Sequence, residues 1–465
     1  MASSLLLPFL LYSLILQSIN VVAQTKSTIA IGDSFTAETS NSTWLLSPSG
    51  DFAFGFLPIQ DTDLFLLSIW YAKIPEKTIV WYANGENPAP TGSKVELNAE
   101  DGLVLTSPNG AGLWNTTEVL SAKVSRGVFN DTGNFVLDGA GWETFKFPSD
   151  LPSQFLQKGG KLYSRLKESN FSKGRFELLL QDDGNLVMHS INLPSGYANK
   201  EKYYESETAG TDTSSAGTRL VFDGSGDLYV LRENNMKYNV SEEESTVSTT
   251  LYYLRATLNF DGVFAVYKHP KNSTDGEGWT TVWSKPDNIC KYVANEGSGV
   301  CGYNSICTLG VDKRPTCKCP KRYLLVEPDD PLGNCKPDFK QGCAEDEPSK
   351  NRNDLYDFET LTDIDWPLSD SALQKPFTEE QCKKACMEDC FCSVAIFRLG
   401  DSCWNKKLPL SNGKYDPTLY GAKAFLKVRI DNTSIGVFPP NSTTVTKNNN
   451  RETLVLVGSV ILGSC

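Results

Sequence analysis

The chain has 465 residues, 40% of them hydrophobic, and carries a formal net charge of -12. This length allows about three globular domains, and the hydrophobic content is that of a globular protein rather than a disordered one. The acidic balance, with no basic stripe, makes nucleic acid and anionic membrane surfaces poor partners, and only two histidines are present to support a histidine-rich metal site.

The N-terminal segment contains an apolar run from Leu5 to Leu16 that is followed by small residues. This pattern predicts a secretory signal peptide over residues 1–23, with cleavage after Ala23. The alternative is an N-terminal membrane anchor, since no Lys or Arg precedes the run, but the run is too short to span a bilayer. Entry into the secretory pathway predicts that the cysteines downstream are oxidised.

Sequons of the N-x-S/T type occur along the whole chain and predict N-glycosylation of an extracellular surface. Chance alone supplies some sequons in a chain of this length, so the evidence is their spread rather than any single site. The predicted glycosylation sites are Asn41, Asn115, Asn130, Asn170, Asn239, Asn272, Asn432 and Asn441.

Residues 24–284 contain no cysteine and repeat a unit in which a turn glycine precedes alternating apolar residues. Examples are SGDFAFGF at Ser49, DTGNFVL at Asp131 and DGNLVM at Asp183. Short strands separated by glycines indicate all-β domains of the barrel, sandwich or prism type. The span accommodates two such domains, with a break expected between Pro148 and Pro152.

The stretch LLLQDDGNLVMHS, residues 178–190, predicts a β-hairpin whose turn contains Asp183-Gly184. Leu180, Leu186 and Met188 alternate along the arms and are predicted to face inward. The other face of the hairpin is interpreted either as a sugar-binding site or as a solvated strand surface. The residues predicted to share it are Gln181, Asp183, Asn185, Val187 and His189.

Two sets of cysteines follow. The segment that holds the first set is too short to build a sufficient hydrophobic core. Disulfides are therefore expected to contribute on the order of 2–4 kcal/mol each to its stability. A zinc cluster is the alternative, disfavoured in an oxidising compartment. The first set is Cys290, Cys301, Cys307, Cys317, Cys319 and Cys335, and the second is Cys343, Cys382, Cys386, Cys390, Cys392 and Cys403.

In the second set, Thr378 and Gln381 form a capping box that predicts a helix over FTEEQCKKACMEDC. Cys382, Cys386 and Cys390 recur every fourth residue and are expected along one face of this helix. Spacing alone leaves the pairing of the six cysteines open.

The composition becomes polar and proline-interrupted after Ile430, which predicts an extended stalk up to residue 452. Residues 453–465, TLVLVGSVILGSC, are apolar but too few to span a bilayer as a helix. We expect the start of a truncated transmembrane segment. The alternatives are the tail of a lipid-anchor signal and an ordinary terminus; Cys465, the thirteenth cysteine, lies in this segment.

The stretch IWYAKIPEKTIVWYANGENP, residues 69–88, resembles the hallmark of bulb-type lectin domains in the plant G-type lectin S-receptor-like serine/threonine-protein kinase family, which includes S-locus glycoprotein-like extracellular parts. The first cysteine set resembles that family's atypical EGF-like module. The second set, with C-x3-C-x3-C-x-C and a later Cys-Trp, resembles its PAN/apple module. The resemblance covers nearly the whole mature chain, in the family's own order.

The resemblance implies a mainly β fold, with tandem bulb-type lectin β-prism domains, each prism built from three small sheets, followed by small disulfide-rich EGF-like and PAN/apple (α+β) modules. The expected boundaries are 24–149 for the first lectin domain, 150–285 for a second, S-locus-like β domain, 286–336 for the EGF-like module, 343–428 for the PAN module, 429–452 for the stalk and 453–465 for the membrane segment. The disulfides implied in the same way are Cys290–Cys307, Cys301–Cys317, Cys319–Cys335, Cys382–Cys403, Cys386–Cys392 and, for the remaining two cysteines, Cys343–Cys390.

The sugar motif of bulb-type lectins, Q-x-D-x-N-x-V-x-Y, is matched at Gln181, Asp183, Asn185 and Val187, with His189 in place of the tyrosine. In this motif alternate polar side chains bond sugar hydroxyls and the valine contacts the ring. Two other strands match less well: Asn130, Thr132, Asn134, Val136 and Asp138, and then Asn98, Glu100, Gly102 and Val104.

Several tryptophans are interpreted as core anchors, with sugar platforms as the alternative, because an indole face packs well against a pyranose ring and equally well inside a β core. They are Trp70, Trp81, Trp114, Trp142, Trp279, Trp283, Trp366 and Trp404.

Relatives of this type continue into a kinase, but this chain contains no Gly-rich loop, β3-type lysine motif, H-R-D or D-F-G. The adjacent Asp182 and Asp183 face opposite sides of a strand and cannot flank one glycosidic bond. We therefore expect no enzyme activity, no cofactor and no metal in this chain.

The expected function is that of a cell-surface lectin receptor ectodomain that binds an extracellular glycan or protein, with a role in defence or recognition signalling. We expect the extracellular face of the plasma membrane, with single-pass type I topology if the chain continues, and dimerisation through the EGF-like and PAN modules. The alternative is a soluble or lipid-anchored secreted lectin or decoy that does not signal.

Overall fold

The computed structural model describes residues 26–430, except residues 41, 147, 149–153, 193–196, 211–214, 242–246, 273–276, 296, 298, 344–351 and 420. The predicted signal peptide, most of the predicted stalk and the apolar C-terminal segment with Cys465 lie outside the described residues, as do Asn41, Asn432 and Asn441. Within the described ranges the chain is mainly β, with a single α-helix. No helix in those ranges is long and apolar enough to cross a membrane.

The first β region contains three antiparallel sheets. They have the strand orders β1-β11-β12-β13, β10-β9-β8-β2 and β3-β4-β5-β6, with β7 paired to β5. The strands are β1 (Thr28–Ala30), β2 (Ser34–Thr36), β3 (Thr43–Leu46), β4 (Phe52–Pro58), β5 (Leu64–Tyr71), β6 (Ile79–Tyr82), β7 (Ala89–Pro90), β8 (Lys94–Asn98), β9 (Gly102–Thr106), β10 (Gly112–Asn115), β11 (Arg126–Phe129), β12 (Phe135–Asp138) and β13 (Trp142–Glu143).

The second β region repeats this plan with three further antiparallel sheets. Their orders are β14-β19-β20-β21, β15-β16-β17-β18 and β22-β23-β24. The strands are β14 (Phe155–Gln157), β15 (Lys161–Arg165), β16 (Lys173–Leu180), β17 (Leu186–Asn192), β18 (Tyr197–Glu205), β19 (Gly217–Phe222), β20 (Leu228–Arg232), β21 (Lys237–Asn239), β22 (Tyr252–Leu258), β23 (Phe264–Pro270) and β24 (Thr280–Lys285).

These two groups of three small sheets confirm the expected mainly β, prism-like fold class. Side chains alternate between the two faces of each strand, and this explains which residues form the hydrophobic cores. In β8, for example, Val95 and Leu97 are buried and their neighbours are not. The predicted hairpin is also confirmed, because β16 and β17 pair with Leu180 opposite Leu186, and both leucines are buried.

The two β regions share a buried boundary. The Tyr253 side chain from β22 packs into the core of the first region, and the Tyr71 hydroxyl donates to the Leu254 carbonyl oxygen at 2.7 Å. On the same side, the Trp279 Nε1 donates to the Thr78 Oγ1 at 2.8 Å. Because these polar atoms lie away from solvent, their pairing fixes how the two regions meet.

The cysteine-rich part forms three more sheets, with the orders β26-β25-β34-β30, β27-β28 and β29-β35-β32-β33-β31. Short 3-10 helices in the described part of the chain are Thr117–Val119, Thr144–Lys146, Ile289–Lys291, Arg352–Asp354 and Pro417–Leu419. The remaining elements are β25 (Ile306–Leu309), β26 (Pro315–Lys318), β27 (Tyr323–Leu325), β28 (Cys335–Pro337), β29 (Tyr356–Thr362), β30 (Ile364–Asp365), β31 (Asp370–Gln374), α1 (Glu379–Glu388), β32 (Cys392–Arg398), β33 (Ser402–Lys407), β34 (Gly413–Tyr415) and β35 (Lys423–Arg429).

Helix α1 begins with the predicted capping box. The Gln381 N–H donates to the Thr378 Oγ1 at 3.2 Å, and the Thr378 N–H donates to the Gln381 Oε1 at 2.8 Å. The helix ends at Glu388, so the expectation that Cys390 continues its cysteine-bearing face is wrong. Cys386 is bonded to Cys392, and residues six apart in a continued helix would point in different directions, so the chain must leave the helix between them.

Six disulfides crosslink the cysteine-rich part, and each coincides with a pair that the family resemblance implies. Their Cα–Cα distances lie between 5.0 and 5.6 Å, within the usual range for a disulfide. The pairs are Cys290–Cys307, Cys301–Cys317, Cys319–Cys335, Cys343–Cys390, Cys382–Cys403 and Cys386–Cys392.

One sheet joins the two cysteine sets. Strand β25, from the first set, pairs in parallel with β34, from the second, with Ile306 opposite Gly413. The Ser305 carbonyl oxygen accepts from the Gly413 N–H at 2.9 Å and from the Nε1 of the fully buried Trp366 at 2.9 Å. The two disulfide-rich parts are therefore one folded unit rather than two separate modules on a linker.

Gly413→Ala tests this junction. A methyl group at Gly413 would lie 2.5 Å from the Ser305 oxygen and 2.5 Å from the Trp366 Nε1. Overpacking of this kind costs about 1–3 kcal/mol of unfolding free energy. Hydrogen–deuterium exchange should become faster in residues 304–309 and 411–415. Gly224→Ala, where an added Cβ meets nothing within 4 Å, is the matched control and should leave exchange unchanged; equal effects of both variants would contradict the tight junction.

Candidate functional site

The predicted sugar motif lies at the tip of the β16–β17 hairpin. Gln181 is half-buried and Asp183 is exposed, while Asn185, Val187 and His189 are 4%, 0% and 7% exposed. The Asp183 Oδ1 accepts from the Asn185 N–H at 2.9 Å and so shapes the turn. The expectation that all five side chains share one open face is therefore wrong.

The amide of Asn185 is used by the fold itself. Its Nδ2 donates to the Glu205 Oε2 at 3.1 Å, and its Oδ1 accepts from the Ser206 Oγ at 3.2 Å and from the Thr208 N–H at 3.2 Å. The Lys202 ammonium beside Glu205, together with the Asn185 amide, holds the pKa of the Glu205 carboxyl below its usual value. An amide with these partners has little capacity left for sugar hydroxyls.

Burial of Val187 and His189 comes from the neighbouring strands. On the β15-β16-β17-β18 sheet, His189 lies between Glu177 and Lys202. Glu177 is itself buried and receives the Lys161 ammonium at 3.1 Å. Long side chains on the neighbouring strands β16 and β18 thus flank His189 on this face, which the sequence of one strand cannot predict.

The same arrangement recurs in the first β region at Asn134. Its Nδ2 donates to the Glu143 Oε2 at 2.7 Å, and its Oδ1 accepts from the Thr144 Oγ1 at 3.0 Å and the Phe145 N–H at 3.3 Å. The sequences D-T-G-N-F-V and D-D-G-N-L-V therefore place the asparagine in the same structural role twice. We call this arrangement the asparagine clamp, formed by Asn134 and by Asn185.

The other residues of the weaker sugar-motif matches lie around these turns. At the strand with least similarity, Gly102 adopts a left-handed backbone conformation with φ of 68°. The Leu103 N–H next to it donates to the Thr116 Oγ1 at 3.0 Å, so a hydroxyl there takes the place of the clamp's amide. The remaining members are Asn98 on β8, Glu100, Val104 on β9, Asn130 and Thr132 before β12, and Val136 and Asp138 on β12.

The tryptophans named as core anchors or platforms divide into two groups. Trp70, Trp81, Trp142 and Trp366 are at most 5% exposed and are core residues. The half-buried group, whose rings are partly open to solvent, is Trp114, Trp279, Trp283 and Trp404.

Trp114 lines a cleft between the two β regions. We call it the aromatic cleft and define it by the side chains of Tyr82 and Trp114 from the first region and Tyr163 and Phe171 from the second. Its volume is about 370 Å³. Polar groups at its rim come from both regions: Glu86, Asn87 and Lys173.

Close contact between the backbones of the two β regions fixes the shape of the aromatic cleft. A Cβ on Gly85 would overlap the Phe171 carbonyl oxygen and the Tyr82 ring, so only glycine allows the two regions to approach here. The Lys173 N–H donates to the Glu86 Oε1 at 2.7 Å across the boundary. The Tyr82 and Phe171 rings meet edge to face with centroids 5.3 Å apart.

The cleft combines half-buried aromatic rings with a few polar groups of balanced charge. The Lys173 ammonium lies 4.0 Å from the Tyr163 ring centroid, and Glu86 and Asn87 are exposed at the rim. Ring faces can pack against the C–H surface of a sugar while the rim groups bond its hydroxyls. Sequence reasoning missed Tyr163 and Phe171, because nothing in their spacing links them to Trp114 in the other region.

The chain is similar to several plant receptor kinases. It is 40% identical to the G-type lectin S-receptor-like serine/threonine-protein kinase RLK1 of Arabidopsis thaliana over 94% of this chain and 53% of the relative. It is 39% identical to LECRK2 of Oryza sativa subsp. japonica over 92% of this chain and 54% of the relative, and 38% identical to LECRK3 of Oryza sativa subsp. indica over 100% and 58%. The chain thus spans about half the length of the curated relatives that it matches, and the predicted family resemblance is confirmed.

No family model matches the chain. Among solved structures, it is similar to a Japanese Marasmius oreades lectin with a TM-score of 0.20 and 17% identity, covering 30% of this chain and 89% of that one. It is also similar to the fetuin-binding Scilla campanulata agglutinin, a two-domain lectin, with a TM-score of 0.18 and 16% identity, covering 56% of this chain and 100% of that one. TM-scores this low support no argument, so the fold assignment rests on the sheet topology.

Alanine at either asparagine clamp should destabilise the chain. Asn185→Ala removes the acceptor of the buried Thr208 N–H, and Asn134→Ala removes that of the Phe145 N–H. A buried donor left unpaired costs about 1–3 kcal/mol, measured as a lower free energy of unfolding in urea. Gln181→Ala at the same hairpin is the control and should change stability little; a clamp variant as stable as this control would show that the amides are dispensable.

Proposed function

We propose that this chain, whose homologues over 92–100% of its length are G-type lectin S-receptor-like serine/threonine-protein kinases, is the extracellular ligand-binding part of a lectin receptor. The ligand is a glycan, and its binding site is the aromatic cleft. The relatives are named as kinases and this chain matches only 53–54% of their length, so the proposal places kinase activity in the part that it does not match. Signalling through such a kinase, in defence or recognition, is part of the proposal for the longer receptor.

The observation that carries the proposal is the composition of the aromatic cleft. Four aromatic side chains from two β regions face one preformed space of about 370 Å³, and preformed concave sites lined by aromatic rings with a few polar groups are typical of ligand binding. The rim carries one acidic and one basic side chain, Glu86 and Lys173, which favours a neutral ligand. The asparagine clamps, in contrast, are occupied by contacts within the protein.

The module boundaries proposed for this receptor follow the family resemblance: lectin-type domains at 24–149 and 150–285, an EGF-like module at 286–336 and a PAN module at 343–428. A location on the outer face of the plasma membrane accords with the receptor relatives and with the disulfide-rich part of the chain. Every described sequon asparagine is exposed, as surface glycosylation requires: Asn115, Asn130, Asn170, Asn239 and Asn272.

A soluble or lipid-anchored lectin that captures the same glycan without signalling is the alternative function. Both functions need the aromatic cleft, and they differ in whether the chain signals and in how it is attached to the cell. Extraction of the native protein from membranes separates them: release by mild salt supports the soluble form, release only after cleavage of a lipid anchor supports the lipid-anchored form, and a requirement for detergent that such cleavage does not remove supports the receptor.

Tyr163→Ala and Trp114→Ala should each weaken glycan binding about fivefold to tenfold, since each removes a ring face worth about 1–1.4 kcal/mol from the cleft. The secreted ectodomain would be applied to a glycan array, and the dissociation constant of each positive glycan would be measured by calorimetry. Asp183→Ala is the matched control, because it alters the motif hairpin and leaves the cleft intact.

Loss of binding in Asp183→Ala, with full binding in the two cleft variants, would contradict the aromatic cleft as the binding site and would support the motif hairpin instead.

The predicted glycosylation sites Asn115 and Asn170 are next in sequence to Trp114 and Phe171, so the array is repeated with Asn115→Gln and Asn170→Gln. Tighter binding by these two variants would show that glycans attached to the chain itself partly block access to the aromatic cleft.

A further inference from the structure

An open pocket of about 490 Å³ lies where the β22-β23-β24 sheet meets the β25–β26 hairpin. Three of its lining side chains stand in one row across the sheet, because Arg255 pairs with Tyr267 and Tyr267 pairs with Thr281. Arg314 lines it from the hairpin and Arg165 from the end of β15. We call this space the arginine pocket and define it by these five residues.

The Arg314 guanidinium is held in a fixed orientation that leaves some of its donors unused. Its Nε donates to the buried Asp261 Oδ2 at 2.5 Å, and its Nη1 donates to the Tyr267 hydroxyl oxygen at 2.8 Å. The Nη2 has no hydrogen-bond partner within the described residues and is not closed to solvent. Since the Arg314 side chain is 25% exposed, a ligand in the pocket can reach these donors.

The Arg165 guanidinium is oriented by aromatic rings alone. It lies 4.3 Å from the Phe171 ring centroid and 5.9 Å from the Tyr82 ring centroid. In the described part of the chain it makes no hydrogen bond or ion pair, and none of its nitrogens is closed to solvent. Arg175 on the neighbouring strand, in contrast, is paired with Asp330. Arg165 is therefore a half-buried cation whose donors are available to a ligand.

Carboxylates also line the arginine pocket, and their positions decide its charge. Asp261 is buried, and Arg314 offsets its charge. Glu168 and Asp312 are exposed, so water and salt screen them strongly. Arg255 adds a third, half-buried guanidinium, 5.3 Å from the Tyr267 ring centroid. The less exposed part of the pocket thus carries more positive than negative charge, which favours an anionic ligand.

We propose that the arginine pocket binds the carboxylate of an acidic sugar. The carboxylate oxygens accept from the Arg165 guanidinium and from the Arg314 Nη2. Hydrogen bonds of this charge-assisted kind are strong, and the planar guanidinium matches the geometry of a carboxylate. The exposed Thr281 hydroxyl, which has no hydrogen bond within the described ranges, bonds a hydroxyl group of the same sugar.

That the carboxylate belongs to a sugar rests on the proposed function. Arg165 lines the arginine pocket and packs on Phe171, which lines the aromatic cleft, so the two spaces adjoin. A glycan with an uncharged unit in the aromatic cleft and a neighbouring uronic acid unit would occupy both. Recognition of the carboxylate itself does not depend on the cleft.

The test uses the secreted ectodomain with two pairs of probes. Methyl α-D-galactopyranosiduronate is compared with methyl α-D-galactopyranoside, and methyl β-D-glucopyranosiduronate with methyl β-D-glucopyranoside. The members of a pair differ only in having a carboxylate or a hydroxymethyl group, and NMR titration gives each dissociation constant. At least one uronate should bind about tenfold or more tightly than its neutral partner, since it adds hydrogen bonds between charged groups. Added NaCl should weaken binding of the uronate alone.

Arg165→Met keeps an apolar stem on Phe171 and should weaken uronate binding about tenfold or more. Arg219→Met is the matched control and should leave binding unchanged. Arg219 also stacks on a ring, 5.6 Å from the Phe155 centroid, but does not line the pocket. Glu168→Gln removes an exposed negative charge beside the ligand and should tighten uronate binding about twofold. Thermal unfolding shows whether Arg165→Met folds; if it does not, Glu168→Gln carries the test.

Equal uronate affinity of Arg165→Met and Arg219→Met, or no preference for either uronate over its neutral partner, would overturn the arginine pocket. Acetate that binds as tightly as the uronates would overturn the sugar as its ligand. Trp114→Ala, which alters the aromatic cleft, separates the two sites. Uronate binding that Trp114→Ala abolishes and Arg165→Met preserves would place the acidic sugar in the cleft and overturn the pocket. Uronate binding lost in Arg165→Met, with glycan binding unchanged in Trp114→Ala, would instead overturn the cleft and support the pocket.

Discussion

The structure depends on a constraint that short strands impose: when a strand ends inside a protein, the backbone amides beyond it still need hydrogen-bond partners. Here side chains supply them. Asn185 accepts from the Thr208 N–H, Asn134 accepts from the Phe145 N–H, and Thr116 accepts from the Leu103 N–H. Each group joins the end of one strand to the start of a distant segment. Three small sheets can therefore close around one core in each β region without long strands or helices.

The same principle operates between the parts of the chain. The Arg175 guanidinium donates to the Leu332 carbonyl oxygen at 2.9 Å, and Arg314 donates to the Asp261 Oδ2 at 2.5 Å, joining the second β region to the first cysteine set. Burial raises the pKa of the Asp261 carboxyl while Arg314 opposes that rise. Farther on, the Asn304 Oδ1 accepts from the Leu410 N–H at 2.6 Å. Because buried polar groups pair across each boundary, the modules are fixed relative to one another rather than tethered.

The sequence correctly predicted those features that depend on residues close together in the chain. The capping box at Thr378 and the inward leucines Leu180 and Leu186 were visible because the partners lie within a few residues of each other. The burial of His189 could not be predicted, since its cross-strand neighbours Lys202 and Glu177 come from two other strands. The helix end before Cys390 follows from a disulfide between Cys386 and Cys392, whose pairing came from resemblance rather than from spacing. The aromatic cleft could not be predicted at all, because Trp114 and Tyr163 belong to different β regions.

The packed boundaries between the parts of the chain also restrict which conformational changes could accompany ligand binding. Opening or closing the aromatic cleft would require separating Gly85 from the Phe171 carbonyl and breaking the Tyr71 bond to the Leu254 carbonyl. Hinge closure around a ligand needs a boundary that gives way at low cost, and this one is packed and hydrogen-bonded on both sides. In the receptor that we propose, a chain built in this way would present its ligand at a set position, so we expect a response to binding to arise from bringing chains together rather than from bending within one chain.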